Sequence, residues 1–350
     1  MSGERGTDFS DVGDRPVLSV VATVLNEEDG VAELVRRVAT ACGQSVVSFE
    51  IIVVNDGSSD LTLPRLIELG RETPELRVID LFRNFGVMSA VTAGLFAARG
   101  DAVVVLDGDL QDPPELIPQF VEQWRAGADV VYGRRTGRRD PLPVRIMVWM
   151  FNRLQTIVAE TPITEDSGSF SLIDRRVADI LLSMPERHRY FVGLRSWVGG
   201  KQAAVEYHRD GRQFGTTRQG LRGLFAHARL GLISFSKAPL RLASILSMAF
   251  ALVLLAVGVG AVLIRLGTDL AIPGWATFTA LLGGVGFMQS LVLGIIAEYL
   301  GAVFDEVKAR PTFLIRDEYR SGERIAAPAR RSNGAPPDGP PRPDSAEIRF

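Results

Sequence analysis

Short apolar runs alternate with longer amphipathic stretches through the N-terminal part of the chain. The runs are rich in Val, Ile and Leu and cover residues 17–24, 49–54, 77–82, 102–106 and 129–132. Stretches with helical spacing follow at residues 31–40, 63–72, 89–98 and 115–126. Strands that are apolar on both faces and alternate with helices indicate a mostly parallel sheet covered on both sides. The pattern therefore predicts a Rossmann-like α/β domain whose ligand binds beyond the carboxyl ends of the strands.

The C-terminal third has a different pattern. Residues 242–264 and 270–297 contain no charged side chain, and about 20 apolar residues suffice to cross a bilayer as a helix. Both stretches contain glycines, which are common where membrane helices pack closely. We therefore predict a two-helix transmembrane hairpin, at about residues 242–264 and 274–299, within a segment spanning residues 239–304. The alternative is a buried helical hairpin of a soluble protein.

Basic residues flank the two stretches on both outer sides, whereas the loop between them carries one Arg and one Asp. The positive-inside rule then places the catalytic domain and both termini in the cytoplasm, and the protein in the inner or plasma membrane as a multi-pass protein. Residues 209–238 mix apolar side chains with Arg and His. They form either an amphipathic juxtamembrane segment at the headgroup level or an ordinary helix packed on the soluble domain.

The remaining boundaries follow from composition. Residues 1–15 are polar and lack the apolar core of a secretory signal, so we expect a disordered N-terminal arm before a catalytic domain at residues 16–208. Residues 305–320 form a cytoplasmic segment after the second span. Residues 321–350 are rich in Pro, Ser, Gly and Arg, which predicts a disordered tail.

Charge and cysteine content exclude several classes of protein. The 39 Lys and Arg nearly balance the 41 Asp and Glu, for a net charge of −2, which argues against a nucleic-acid binder with its basic face. Cys42 is the single cysteine, so an internal disulfide and a cysteine-rich zinc site are excluded.

The main chemical signal is Asp107-Gly108-Asp109, which follows an apolar run directly. Two carboxylates at a strand end can hold one hard cation, Mg²⁺ or Mn²⁺, that keeps open positions for substrate phosphates. The same triplet is ordinary turn composition, but its place after a buried strand favours the metal site.

A second signal lies at the other strand ends. Asn55-Asp56-Gly57-Ser58 follows one run, and Asn26-Glu27 and Arg83-Asn84 follow two others. Asp56 can accept hydrogen bonds from a nucleobase or ribose, and Gly57 lets a ligand approach the backbone. Ser59 or Asp60 has the simpler interpretation of capping the following helix.

The ordered pieces VATVLNEED, VNDGSSD, RNFGVMSAVTAGL and DGDLQDPPELI resemble the inverting glycosyltransferases of family 2, which have the GT-A fold. The later pieces YGRRTGR, DSGSFSLIDRR, MPERHRYFVGLRSWVG, SFSKAPLRL and EYLGAVFDEVKARP narrow the resemblance. Together they are similar to the polyprenyl-phosphate glycosyltransferases, of the bactoprenol glucosyltransferase and dolichyl-phosphate mannose synthase types. The resemblance covers residues 16–315.

The resemblance implies a role for each candidate residue. The nucleotide-binding candidates are Asn26, Glu27, Asp56, Ser58, Arg83 and Asp107. The metal candidates are Asp107, Asp109 and Gln111. Arg135 and Arg138 match a basic pair that we assign to phosphate groups, because a guanidinium binds phosphate oxygens bidentately; the alternative is a solvated basic loop. We count Asp109 and Arg135 among the catalytic candidates together with Asp166.

One position departs from the family pattern. Members commonly read Asp-x-Gly-Asp-Phe, whereas this chain has Asp166-Ser167-Gly168-Ser169-Phe170, with serine in place of the second carboxylate. Asp166 is retained, and we hypothesise that its carboxylate acts electrostatically on the acceptor side or orients the acceptor phosphate. The alternative is that Asp166 caps a helix or loop. An acceptor that is already a dianionic phosphate needs a strong general base less than a sugar hydroxyl does.

The resemblance implies inverting transfer of a hexose from a nucleotide sugar, UDP-glucose being favoured, to polyprenyl phosphate in glycan biosynthesis. Alternatives are GDP-mannose or a UDP-N-acetylhexosamine as donor, or a non-catalytic membrane-bound scaffold that binds nucleotide sugars. A processive polysaccharide synthase is disfavoured because its Gln-x-x-Arg-Trp motif does not occur here. The resemblance also implies a homo-oligomer, a tetramer packed through the spans.

Overall fold

In a computed structural model of the chain, residues 16–46, 48–136, 167–187, 189–208, 238–267 and 274–325 are described. Several predictions fall outside these ranges. They concern Arg138, Asp166, the terminal arm at residues 1–15, the juxtamembrane segment up to residue 237, and the part of the predicted tail at residues 326–350.

The central feature of the first unit is a mixed sheet of nine strands. In chain order the strands are β1 (Leu18–Val24), β2 (Phe49–Asn55), β3 (Leu76–Leu81), β4 (Ala102–Asp107), β5 (Val130–Thr136), β6 (Ser167–Asp174), β7 (Gln202–His208), β8 (Ile315–Arg320) and β9 (Glu323–Ile325). Across the sheet their order is β7-β5-β6-β4-β1-β2-β3-β8-β9.

The four central strands are parallel and carry the core. β1 pairs in parallel with β2 and β4, and β2 pairs in parallel with β3. Every residue of β1 and β3 is buried. Burial on both faces explains why these strands read as continuous apolar runs. The predicted α/β domain with a mostly parallel, Rossmann-like centre is confirmed.

The flanking strands depart from the parallel pattern. β6 lies antiparallel between β4 and β5, and β7 runs parallel to β5 at the edge. At the opposite edge β8 pairs antiparallel with β3, and β9 pairs antiparallel with β8. The apolar-run pattern did not predict β6 to β9; β8, for example, has the largely polar sequence IRDEYR.

Helices cover the sheet. Their bounds are α1 (Val31–Gly43), α2 (Thr62–Glu72), α3 (Val87–Ala97), α4 (Ile117–Arg125) after a short 3-10 turn, α5 (Arg175–Ser183) and α6 (Phe191–Val198). The first four match the predicted helices within a few residues. α1 buries one apolar face, including Leu34, Val35 and Val38, in the way expected of a helix that covers a sheet.

The domain boundaries differ from those drawn on composition. Among the described residues, the first compact unit combines residues 16–46, 48–136, 167–187, 189–208 and 310–325, and the second combines 238–267 and 274–309. The predicted catalytic domain ended at residue 208, but β8 and β9 belong to the same sheet. They lie in the segments predicted as cytoplasmic (305–320) and as the start of the tail (321–350). Strand pairing with residues distant in sequence leaves no local signal, which is why composition did not show it.

The second unit contains two long helices, α7 (Ala238–Gly267) and α8 (Trp275–Val307). Within the described residues one segment, Leu281–Val307, is long and apolar enough to cross a membrane, with a mean hydropathy of 1.7. Ile245–Leu254 of α7 is apolar but shorter. The spans predicted at 242–264 and 274–299 are thus both helical, and a transmembrane hairpin stays a prediction.

Candidate active site

Three strands of the first unit end at the same level, as the strand pattern predicted. Val24 pairs with Asn55, and Thr23 pairs with Asp107. The N–H of Asp56 donates to Val24 O at 3.0 Å, and the N–H of Gly108 donates to Thr23 O, also at 3.0 Å. The loops that leave β1, β2 and β4 therefore start side by side at the carboxyl edge of the sheet, where ligands of open α/β sheets bind.

The loops after β1 and β2 are joined to each other. Asn26 has a left-handed backbone, with φ of 53°. Its N–H donates to Ser58 Oγ at 2.9 Å, and its Oδ1 accepts the N–H of Ser59 at 2.7 Å. The N–H of Glu27 donates to Thr62 Oγ1 at 2.9 Å. Asn26 and Ser58 thus fix the conformation of the loops after β1 and β2, in addition to any contact with a nucleotide.

Asp56 organises the loop that follows β3. Its side chain is buried, and its two carboxylate oxygens accept the N–H groups of Phe85 at 2.7 Å and Gly86 at 2.9 Å. Burial raises the pKa of the Asp56 carboxyl, and the two N–H groups partly oppose that effect. The structure therefore gives Asp56 a positioning function: it holds residues 83–86 against the end of β2.

Gly57 is required by the close approach of the same loop. Its φ is +71°, and a Cβ there would lie 2.6 Å from the carbonyl carbon of Arg83 and from the nitrogen of Asn84. The side chain of Arg83 is exposed, and its guanidinium stacks 4.1 Å from the centre of the Phe85 ring. Asp60 has the capping interpretation, since its Oδ1 accepts the N–H of Thr62 at the start of α2.

Asp107 and Asp109 lie at the end of β4, and both are half-buried. Asp109 Oδ1 accepts the N–H of Gln111 at 3.2 Å, which closes a tight turn around Leu110. Leu110 is buried and has a φ of 57°. Gly108 has no room for a side chain, because a Cβ would lie 2.6 Å from Thr23 O. The turn is thus clamped to β1 while it presents two carboxylates.

Ser169 lies beside Asp107. The antiparallel register pairs Val105 with Ser171, so the next same-face neighbours are Asp107 and Ser169. The Ser169 hydroxyl donates to Asp107 Oδ1 at 3.0 Å. The serine that replaces the family carboxylate is therefore a hydrogen-bond donor to a proposed metal ligand.

The donor set fits a hard divalent cation. Asp107 and Asp109 supply carboxylate oxygens, and the half-buried Gln111 has an amide oxygen two residues further on. No group of three or more His, Cys, Asp or Glu suited to a metal occurs among the residues that the structure describes. Two carboxylates are typical of Mg²⁺ sites whose other ligands are water and phosphate, rather than of all-protein cages.

Arg135 belongs to a buried polar cluster with Asp112 and Tyr207. Its Nε donates to the Tyr207 hydroxyl at 3.2 Å, and its guanidinium lies 3.7 Å from Asp112 Oδ1. Tyr207 in turn donates to Asp112. Burial acts to lower the pKa of Arg135, but Asp112 and Tyr207 outweigh it and the pKa is raised. Asp107 adds to this effect, so the cluster and the Asp107 carboxylate share one electrostatic environment.

Three of the residues around the site were not predicted. Asp112 follows the metal candidates in the chain, and Tyr207 lies in β7, which the apolar-run pattern did not predict. Arg195 on α6 is 1% exposed, and its Nη1 donates to Gly168 O at 3.3 Å. Burial lowers the pKa of Arg195 to about 10. A single buried arginine such as Arg195 does not change the hydrophobic periodicity of the sequence. Asp112, in contrast, lies three residues after Asp109, and this closeness could have marked it as a candidate.

Comparison with known proteins identifies the family. The sequence model of glycosyl transferase family 2 matches residues 19–181. An uncharacterized glycosyltransferase of Synechocystis is 39% identical over 86% of this chain and 95% of its own. A prophage bactoprenol glucosyl transferase homolog of Escherichia coli is 34% identical over 85% of this chain and 98% of its own.

A solved structure also aligns with this chain. It is glucosyl-3-phosphoglycerate synthase from Mycobacterium tuberculosis in complex with Mn²⁺, UDP-glucose and phosphoglyceric acid. The identity is 21% and the TM-score 0.46, over 63% of this chain and 79% of that one. The extended likeness to the Synechocystis and Escherichia coli relatives confirms the predicted resemblance: the chain belongs to glycosyl transferase family 2 and is a glycosyltransferase.

Proposed function

We propose that this protein transfers a hexose, with inversion, from a nucleotide sugar to the phosphate of polyprenyl phosphate at the cytoplasmic membrane face. The product is a polyprenyl-phosphate sugar, and UDP-glucose is the favoured donor. The observation that carries the proposal is the likeness to a bactoprenol glucosyl transferase homolog over 98% of that relative. That likeness extends beyond the sheet into the C-terminal helices, where a lipid acceptor is expected.

The donor would bind along the carboxyl ends of β1, β2 and β4. The loops held by Asp56 and Asn26 would border the nucleoside. Glu27, Ser58 and Arg83 belong to these same loops. Asp107 and Asp109 would hold Mg²⁺ or Mn²⁺, with Gln111 close by. When bound, the cation supplies positive charge that stabilises the departing nucleoside diphosphate.

The acceptor side is consistent with a phosphate nucleophile. The second pKa of a phosphate monoester is about 6, so near neutral pH the acceptor oxygen is largely deprotonated before it attacks. A carboxylate general base at position 169 is then unnecessary. The Ser169 hydroxyl instead donates a hydrogen bond to Asp107. Attack opposite the leaving group inverts the anomeric carbon.

Arg135 is the proposed phosphate-binding residue within the described part of the site. Its side chain is 18% exposed, so part of the guanidinium can reach a ligand while Tyr207 and Asp112 fix its direction. Arg138 and Asp166 lie outside the described residues and stay proposals from the resemblance. A guanidinium suits this place because it binds two phosphate oxygens at once.

The proposed membrane topology rests on the two uncharged apolar stretches and on the basic residues that flank them. α7 and α8 would form the two spans, with the loop outside and both termini in the cytoplasm. The apolar side chains of α8, such as Phe287 and Leu300, are exposed within the chain. Such a surface needs lipid or another copy of the chain to cover it. We propose on this ground that the helices lie in the membrane, and on the resemblance that the protein is a homo-oligomer, a tetramer.

A donor screen tests the function. Purified full-length protein in detergent is incubated with polyprenyl phosphate and, in separate reactions, labelled UDP-glucose, GDP-mannose and UDP-N-acetylglucosamine. We expect one lipid-soluble labelled monosaccharide, formed from UDP-glucose and released by mild acid. A lipid product from another donor would correct the sugar assignment. No lipid product from any donor would overturn the proposed function and favour a binding scaffold.

A further inference from the structure

The strand β8 reaches the donor side of the sheet from a distant part of the sequence. It runs antiparallel to β3, so its first residue, Ile315, pairs with Leu81 at the carboxyl end of β3. The register is irregular between Asp80 and Leu81. Arg316 therefore lies where β3 ends and the loop of residues 82–86 begins.

Phe82 is the first residue of that loop, and both its N–H and its carbonyl oxygen make hydrogen bonds to the segment containing β8. Its N–H donates to Leu314 O at 3.0 Å. Its carbonyl oxygen accepts Nη2 of Arg316 at 2.6 Å. The Arg316 guanidinium also lies 5.6 Å from the centre of the exposed Phe82 ring. The direction in which the chain leaves β3 is thus set by β8.

Arg316 is also connected to the loop after β2. Its Nη1 lies 3.4 Å from Asp80 Oδ2. Asp80 is buried, and its Oδ1 accepts Nδ2 of Asn55 at 2.7 Å. Asn55 Oδ1 in turn accepts the N–H of Ser58 at 3.3 Å. One guanidinium therefore links two loops: residues 55–58 through Asp80, and residues 82–86 through Phe82.

We infer that Arg316 is a positioning residue for the donor nucleotide. It acts through Phe82 and Asp80, so that the loops bearing Asp56 and Arg83 are fixed before the nucleotide arrives. This inference rests on the proposed function, since these two loops border the proposed nucleotide site. Preorganised loops raise affinity because less conformational freedom is lost on binding. Removal of Arg316 should therefore weaken donor binding more than it slows turnover.

Other contacts hold the strand itself in place. Arg77 pairs with Glu318 at 2.7 Å, and the rings of Phe96 and Phe313 are 6.0 Å apart. Because these contacts do not involve Arg316, its substitution leaves β8 attached to the sheet. The exposed Arg324 pairs with Asp317 inside the hairpin of β8 and β9, so it provides a matched control.

The test compares Arg316→Ala and Arg316→Lys with Arg324→Ala in the full-length protein. We measure the Kd for UDP by calorimetry and the KM and kcat for the donor sugar. For Arg316→Ala we expect the UDP Kd and donor KM to rise about tenfold, with kcat within about twofold and the acceptor KM unchanged. Arg316→Lys keeps a cation that can reach one of the two oxygens, so it should lie between the alanine variant and the wild type. Arg324→Ala should match the wild type.

Three results would overturn the inference. They are unchanged UDP affinity in Arg316→Ala, an equal loss in Arg324→Ala, and a loss confined to kcat. If Arg316→Ala does not fold, an unchanged UDP affinity in Arg316→Lys would contradict the inference as well. UDP binding needs no turnover, so it separates this inference from the proposed function. A wild type that binds UDP but makes no lipid product would contradict only the latter.

Discussion

The Ser169 hydroxyl donates a hydrogen bond to Asp107 Oδ1 at 3.0 Å. A second carboxylate at this distance would repel Asp107 and raise the pKa of one of the pair. Serine instead supplies a neutral donor that orients the carboxylate. The departure from the family pattern at position 169 therefore places a hydrogen-bond donor next to a proposed metal ligand.

Removing this hydroxyl should weaken the metal site. Groups that orient metal ligands typically change metal affinity by about 10- to 100-fold when they are mutated. For Ser169→Ala we expect the Mn²⁺ concentration that gives half-maximal transfer to rise about tenfold. Ser183→Ala is the control, because that hydroxyl donates to the carbonyl oxygen of Ile180 within α5. An unchanged metal requirement in Ser169→Ala would contradict the orienting function.

A side chain at Gly57 should displace the loop of residues 83–86. Gly57→Ala adds a Cβ within 2.6 Å of the Arg83 and Asn84 backbone, at a φ of +71°. A positive φ costs a non-glycine residue about 1 kcal/mol or more. We expect a donor KM at least tenfold higher and a lower thermal midpoint. Gly43→Ala is the control, since nothing lies within 4 Å of its Cβ. Wild-type donor KM in Gly57→Ala would show that the contact is irrelevant to binding.

The Tyr207 hydroxyl should matter for both stability and transfer. Tyr207→Phe removes an acceptor from Arg135 and a donor from the fully buried Asp112. Leaving buried polar groups unsatisfied costs about 1–3 kcal/mol. We expect a corresponding loss of unfolding free energy and a several-fold lower kcat, because the Arg135 guanidinium loses its direction. Tyr132→Phe is the comparison, as its hydroxyl accepts a hydrogen bond from the exposed Arg134, at 3.4 Å. Equal effects of the two variants would refute the orienting role.

The buried ion pair of Glu50 and Arg77 should make stability depend on pH. Arg77 Nη1 donates to Glu50 Oε2 at 2.6 Å, and the Ser19 hydroxyl donates to Oε1 at 2.7 Å. Burial acts to raise the pKa of Glu50, but Ser19, Arg77 and the N–H of Arg99 outweigh it, so the pKa is lowered. A lowered carboxyl pKa gives stability that is present above the unfolded-state pKa and is lost as pH falls through the folded-state value.

Glu50→Gln tests that dependence. At pH 7 we expect a loss of about 3 kcal/mol of unfolding free energy, since breaking a buried pair leaves a charge poorly compensated. The difference from the wild type should shrink as pH falls below about 4.3, where an unfolded Glu is protonated. Thermal midpoints at pH 7 and at about pH 3, well below the unfolded-state pKa, measure it. A difference that does not change with pH would mean that the charge of Glu50 is not the cause. The exposed Glu72, at the end of α2, serves as the control in Glu72→Gln.

The central strands were predictable because burial on both faces leaves a continuous apolar signal. The apolar run at residues 17–24 corresponds to strand β1 (Leu18–Val24), and the run at 49–54 corresponds to strand β2 (Phe49–Asn55). The polar ends of these strands likewise located Asp56, Asp107 and Asp109. Parallel strands bring their carboxyl ends together, so no knowledge of the loops was needed.

The remaining part of the site depends on pairings between residues far apart in sequence. Ser169 meets Asp107 only because β6 inserts antiparallel between β4 and β5. Arg316 meets Phe82 only because β8 returns to the edge of the sheet after the long helices. Local pattern carries no information about either pairing. The departure at Ser169 was visible in the sequence, whereas its partner was not.

The most direct test of the account is the metal dependence of lipid glycosylation. Purified wild-type protein is supplied with UDP-glucose, polyprenyl phosphate and Mn²⁺, then with excess EDTA, then with Mn²⁺ again. We predict that the labelled lipid forms, that EDTA stops its formation, and that Mn²⁺ restores it. We also predict that Asp109→Asn fails to respond to Mn²⁺. Equal product in excess EDTA, or full activity of Asp109→Asn, would contradict the central claim that Asp107 and Asp109 hold the cation that allows the diphosphate to leave.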